Sequence, residues 1–161
     1  MPLPPDAQAA FDADLATMTR VQTVPVDPLN YGRDLSCVLD VTNDFAEVDP
    51  NSPLGIAEAV TRRLITTRGD LLDDGTYGFN VRAMLNHPQT VNELRSLEIS
   101  CINEANKEER VQRADIDVSM NALGSKISIA VAITPADPVL RPFRFVLAVT
   151  DAQVLIEMIG A

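Results

Sequence analysis

The sequence predicts an α+β fold, with two to three helices packed on a small, mostly antiparallel sheet that ends in a C-terminal three-stranded meander. Three observations lead there. Apolar residues recur at helical spacing in two stretches before residue 106. After residue 110 the period changes from 3.6 to 2. Finally, 161 residues with 46% apolar content suffice for one core, and argue against a wholly disordered chain.

Residues 1–30 read as an N-terminal arm and residues 31–161 as the domain. In the arm, Pro2, Pro4, Pro5, Pro25 and Pro28 bracket one short helix, which Asp6 can cap. Phe11, Leu15 and Met18 fall on one face of it at i, i+4 and i+7. So short a helix is marginal alone and needs a surface to dock on, either its own domain or a partner. Leu35 to Val41 reads as a strand from its apolar and β-branched content. Residues 42–51 are polar and turn-like. Ser52 then suits an N-cap and Pro53 the first helical position. Leu54, Ala57, Val60 and Leu64 make the apolar stripe of that helix, and Gly69 is its expected stop. Arg62, Arg63 and Arg68 lie near its C-terminus, where cations favour the helix dipole.

Gly69 to Gly78 reads as a loop marked by three glycines, followed by a short helix between Phe79 and Leu85 that His87-Pro88 stops. Thr90 and Glu93 match a capping box. Val91, Leu94, Leu97, Cys101, Ile102 and Ala105 then form a helical stripe of about five turns, ~27 Å long. Beyond it Ile116, Val118 and Met120 alternate with polar residues, and Gly124 marks a turn. Ile127 to Ile133 and Phe143 to Val149 alternate in the same way, which gives the meander. Val154 to Ile159 reads as a last short strand or a helical turn.

The formal net charge is −10. That balance argues against nucleic-acid binding, which needs clustered Lys and Arg. No apolar run is long enough to span a bilayer, and the N-terminus lacks the basic start and apolar block of a signal peptide. The expected site of synthesis is the cytoplasm, with Cys37 and Cys101 as reduced, half-buried thiols. Walker, GxGxxG and HExxH motifs are missing, and one histidine is too few for a zinc cluster. His87, before a proline, reads as a surface or capping residue rather than a triad member. Asp73-Asp74 reads as a solvated acidic turn, and Asp70 to Gly75 lacks the alternating ligands of a calcium loop. No catalytic residue, metal site or cofactor is expected.

The order of local motifs resembles the lysozyme-like baseplate wedge family of contractile phage tails, which includes the baseplate subunits of type VI secretion and other contractile injection systems. Gly32-Arg33-Asp34-Leu35 is similar to the family's glycine-x-aspartate approach to its first strand. Ser52-Pro53-Leu54-Gly55-Ile56-Ala57 opens the first helix. Leu64 to Asp70 resembles its leucine-threonine-x-x-glycine-acidic segment, and Tyr77-Gly78 its tyrosine-glycine step. Glu108-Glu109-Arg110-Val111 stands at the place of a glutamate-proline-arginine signature, and the likeness covers about residues 31–150. Glu109 departs from the pattern: proline would stiffen this turn, and Glu109 leaves it freer.

The resemblance implies a structural baseplate wedge subunit rather than an enzyme. It would surround the tail tube in several copies and anchor the first sheath ring, with the sheath subunit and other wedge proteins as partners. An arm of the sheath would add a strand to an exposed sheet edge. Arg110 would offer a bidentate fork to a partner carboxylate, oriented by Glu108. The plainer reading of that pair is a helix-end ion pair worth about 0–1 kcal/mol. Phe11, Leu15 and Met18 would dock on a wedge bundle. The competing function is a peptidoglycan-cleaving, lysozyme-type hydrolase. It needs one carboxyl group held protonated in an apolar pocket, whereas Arg110 beside Glu108 favours an ionised acid.

Overall fold

The computed structural model describes residues 34–35, 47–87 and 89–159. Phe11, Leu15, Met18 and Cys37 lie outside them, as does most of the strand expected over residues 35–41. Of that strand the structure describes β1 (Asp34–Leu35), which pairs antiparallel with β2 (Glu47–Val48).

Helix α1 (Pro53–Ile65) begins where its chemistry dictates. The Ser52 hydroxyl accepts from the Gly55 N–H at 3.1 Å, and Pro53 opens the first turn. Ile56, Ala57, Val60 and Leu64 are buried. The helix stops four residues before the expected glycine because Thr66 turns extended (φ −76°, ψ 136°). That turn lets the chain fold back, so that the Phe79 N–H donates to the Arg63 carbonyl at 3.0 Å. The short helix expected before His87 is a single 3-10 stretch, Val81–Met84, and His87 itself is exposed.

Helix α2 (Val91–Ala105) carries both hydrogen bonds of the capping box. Glu93 N–H donates to the Thr90 hydroxyl at 3.3 Å, and Thr90 N–H to the Glu93 carboxylate at 2.6 Å. Its 15 residues span about 22 Å, a turn less than expected, because the chain leaves the helix at Asn106 to enter the sheet. Leu97, Cys101 and Ala105 are buried along one face.

The sheet holds four strands in sequential antiparallel order: β3 (Val111–Met120), β4 (Lys126–Pro135), β5 (Phe143–Thr150) and β6 (Val154–Ile159). The meander is thus one strand wider than expected, since Val154–Ile159 pairs with β5 rather than closing as a helical turn. Rows such as Ile116, Val131 and Phe145 line the inner face in register. Helix α2 packs beside β3, while α1 meets β5 and β6. Phe145, Ile127, Ile129, Ile133 and Leu147 are fully buried between the layers. Among the described residues no helix is long and apolar enough to cross a membrane.

Gly55 permits one close approach that matters later. A Cβ there would overlap the Asp49 carbonyl oxygen and sit 3.0 Å from the Pro50 Cα. Helix propensity alone favours Ala over Gly by about 1 kcal/mol. Steric overlap with backbone reverses the sign, so Gly55→Ala should destabilise the domain by about 1–3 kcal/mol. A lowered melting temperature is the expected outcome; a raised one would show that residues 49–50 do not press on the helix.

Candidate functional site

Two of the residues singled out by sequence, Glu108 and Arg110, meet at the corner where α2 hands over to β3. Glu108 Oε1 lies 2.7 Å from Arg110 Nε, so the pair forms as expected. Its surroundings differ from a solvated helix end. Both residues are only 8% exposed. The second carboxylate oxygen of Glu108 accepts from Arg63 Nε at 3.2 Å. Arg110 Nη1 donates to the Pro50 carbonyl at 2.8 Å. The pair therefore works inside the chain, tying β3 to the segment that precedes α1. Gly55 is what lets that segment lie close enough.

Sequence reasoning missed the residue at the centre. Glu104, 1% exposed, is the most enclosed acid of this corner. Its Oε1 accepts the Gly78 N–H at 3.0 Å and lies 3.7 Å from Arg63 Nη1. Its Oε2 accepts from Lys107 Nζ at 2.7 Å and from Arg68 Nη2 at 3.4 Å. Burial alone would raise the carboxyl pKa. The hydrogen bonds from Lys107 and the Gly78 amide, with the charges of Lys107 and Arg63, outweigh that and hold it below the usual range. A usable signal existed. Glu104 sits three residues after Cys101 and next to Ala105, on the buried stripe of α2, where an acid requires partners.

Around this carboxylate the 66–80 loop is fastened at both flanks. Arg68 Nε donates to the Gly78 carbonyl at 3.3 Å, and Lys107 Nζ to the Thr76 carbonyl at 3.3 Å. Arg63 stacks over the Tyr77 ring with its guanidinium carbon 4.4 Å from the centroid. Gly78 adopts φ +96°, and a Cβ there would collide with the Thr66 carbonyl. No other residue suits a position that must both turn left-handed and bring its N–H to Glu104. The tyrosine-glycine step thus supplies a ring for Arg63 and an amide for Glu104.

The turn at Glu109 is closed without proline. Glu108 N–H donates to the Ala105 carbonyl at 3.1 Å, and Val111 N–H to the Glu108 carbonyl at 2.9 Å.

The remaining chemistry is sparse. Burial, helped by the Glu98 charge, pushes the Cys101 thiol up to about 12, so it is neutral and inert at physiological pH. Asp73 and Asp74 lie exposed in the loop, where Asp74 accepts from Thr76. Among the described residues no three metal-ligating side chains cluster.

The two sheet edges differ. β3 is bulged between Val111 and Arg113, and Asn106 Oδ1 accepts the Ala114 N–H at 2.9 Å. Charged Arg113, Asp115 and Asp117 stand along its exposed face. These are the usual means of blunting an edge. β6 carries a single charge, Glu157, and exposes Leu155 (53%), Met158 and Ile159 (47%).

Replacing Glu104 by Gln keeps the shape and removes the charge, leaving Glu108 as the one remaining carboxylate described beside Arg63 and taking the shared counter-ion from Lys107 and Arg68. Lys107 and Arg68 are half-exposed and regain water, which tempers the loss. Glu104→Gln should cost about 2–3 kcal/mol, or roughly 5–10 °C in melting temperature. The pH dependence has a definite sign. The folded-state pKa lies below that of an unfolded glutamate, ~4.3. The stabilisation is therefore complete above that value and is lost as pH falls through the folded-state pKa. Chemical denaturation from pH 7 to pH 3 should show this acid-labile component in the wild type and not in Glu104→Gln.

No protein-family model, curated protein or solved structure matches the chain.

Proposed function

We propose that the chain is a structural baseplate wedge subunit of a contractile tail or injection system, which anchors the first sheath ring by accepting a strand. The observation that carries this reading is the contrast between the two sheet edges. β3 is bulged, capped and charged, whereas β6 presents Leu155, Met158 and Ile159 to solvent. An arm laid along β6 would gain backbone hydrogen bonds. It would also extend the inner apolar face through Met158 and the outer one through Leu155 and Ile159.

Glu108 and Arg110 serve this role as positioning residues. Through Arg63 and the Pro50 carbonyl they fix the corner against which wedge neighbours pack. Phe11, Leu15 and Met18, outside the described residues, supply the second attachment, to a wedge bundle. Glu104, the most enclosed acid of the corner, is displaced downward, opposite to what the acid of a glycosidase requires.

Lysine in place of Leu155 and Ile159 puts charges on the apolar rows of the edge. Both positions are about half exposed, so the double variant should melt within a few degrees of wild type. Co-purification with the sheath subunit should be lost, and electron micrographs should show tubes without sheath. Normal sheathed tails containing the variant would overturn strand addition at β6. Absence of the wild-type chain from purified tails would overturn the baseplate assignment itself.

A further inference from the structure

We propose that the tip of the 69–78 loop is a docking knob, in which Leu71 and Leu72 insert into an apolar pocket rimmed by lysine or arginine on a partner protein. Leu72 is fully exposed and Leu71 is 43% exposed, so two adjacent leucines face water at one point. Single exposed apolar residues are ordinary, as at Leu123 and Val139. Here the pair stands on a support that keeps it from folding back onto the core. On one flank Thr67 accepts from Asn80 Nδ2 at 2.9 Å, and Arg68 reaches Gly78 and Glu104. On the other, Thr76 is held by Lys107 and Gly78 by Glu104. The buried ion cluster thus presents the tip in one place, which lowers the ordering cost of binding.

Charge selects the occupant. Asp70, Asp73 and Asp74 surround the leucines and are all exposed. Asp70 and Asp73 make no ion pair or side-chain hydrogen bond among the described residues. The nearby cations Arg63, Arg68 and Lys107 are committed to Glu104. An apolar knob within three carboxylates, on a chain of net charge −10, fits a cationic rim and is repelled by an acidic one. Burying two leucines that water now surrounds supplies the driving force, and the polar frame sets which partner fits.

The test places a photo-crosslinking benzoylphenylalanine at position 72 in cells of the native source and locates the adduct on the partner by mass spectrometry. The expected result is one dominant adduct, mapped to an apolar pocket with Lys or Arg at its rim. Adding Leu71→Ser should lower its yield at least about tenfold, as should Asp70→Asn with Asp73→Asn. The same probe at Leu123 should give no dominant adduct. These positions are exposed, so each variant should melt like wild type, and that is measured alongside. The inference is overturned by no dominant adduct at position 72, by an adduct on lipid or on a surface without cations, or by a yield indifferent to the aspartates. The inference stands apart from the assembly reading. A basic-rimmed pocket on a sheath or wedge protein supports both, and such a pocket on a protein foreign to any tail keeps the knob and removes the baseplate role.

Discussion

The structure turns on one buried carboxylate. Taking Glu104 out of water is unfavourable by several kcal/mol unless its oxygens are satisfied. Four donors converge on it: the Gly78 amide, Lys107, Arg68 and Arg63. They come from the end of α1, the glycine-rich loop and the turn after α2. None of these segments can move far without leaving the charge exposed to an apolar interior. Arg63 carries the constraint onward, since it also pairs with Glu108, which holds Arg110, which holds Pro50. A single connected set of polar contacts thereby joins the approach to α1, both helix ends and the start of the sheet.

The domain separates two tasks. The meander and the helix stripes supply the apolar burial that makes the fold stable, while the charged corner decides how irregular segments sit on it. Both surfaces proposed to receive partners depend on that division. The β6 edge is apolar because the sheet continues its inner and outer rows to the last strand. The loop tip is apolar because its flanks, not its leucines, are anchored. β3 needs blunting and β6 does not if β6 is the strand that receives a partner, and the bulge, Asn106 and the charges of β3 fit that asymmetry.

Much of the fold was legible because local chemistry and tertiary structure agree. Ser52-Pro53 and the Thr90–Glu93 box start helices where expected, and the alternation in Ile127–Ile133 and Phe143–Val149 survives as a sheet with one buried face. The last strand was ambiguous for a physical reason. At this edge only Val154 and Ile156 pack partly against the core, while the outward positions Leu155 and Ile159 are apolar too, so the sequence of Val154–Ile159 carries no polar-apolar alternation. The stop of α1 was misplaced because Thr66 leaves the helix to meet Gly78, a contact 12 residues away that no local rule encodes. Glu108 and Arg110 were singled out by their place in the resemblance, with an ordinary ion pair as the plainer reading. Their third member, Arg63, lies 45 residues from Glu108 and read only as a dipole cation. Glu104 was the avoidable omission, an acid on an otherwise apolar stripe.

Amide hydrogen exchange at Gly78 tests the central role of Glu104 most directly. Gly78 lies in a loop, and its only described acceptor is the Glu104 carboxylate. If the cluster locks the loop to the core, this amide exchanges as slowly as those of β4 and β5, and Glu104→Gln accelerates it toward the rate of exposed Gly75. Exchange of the wild-type Gly78 amide at the Gly75 rate would contradict the account.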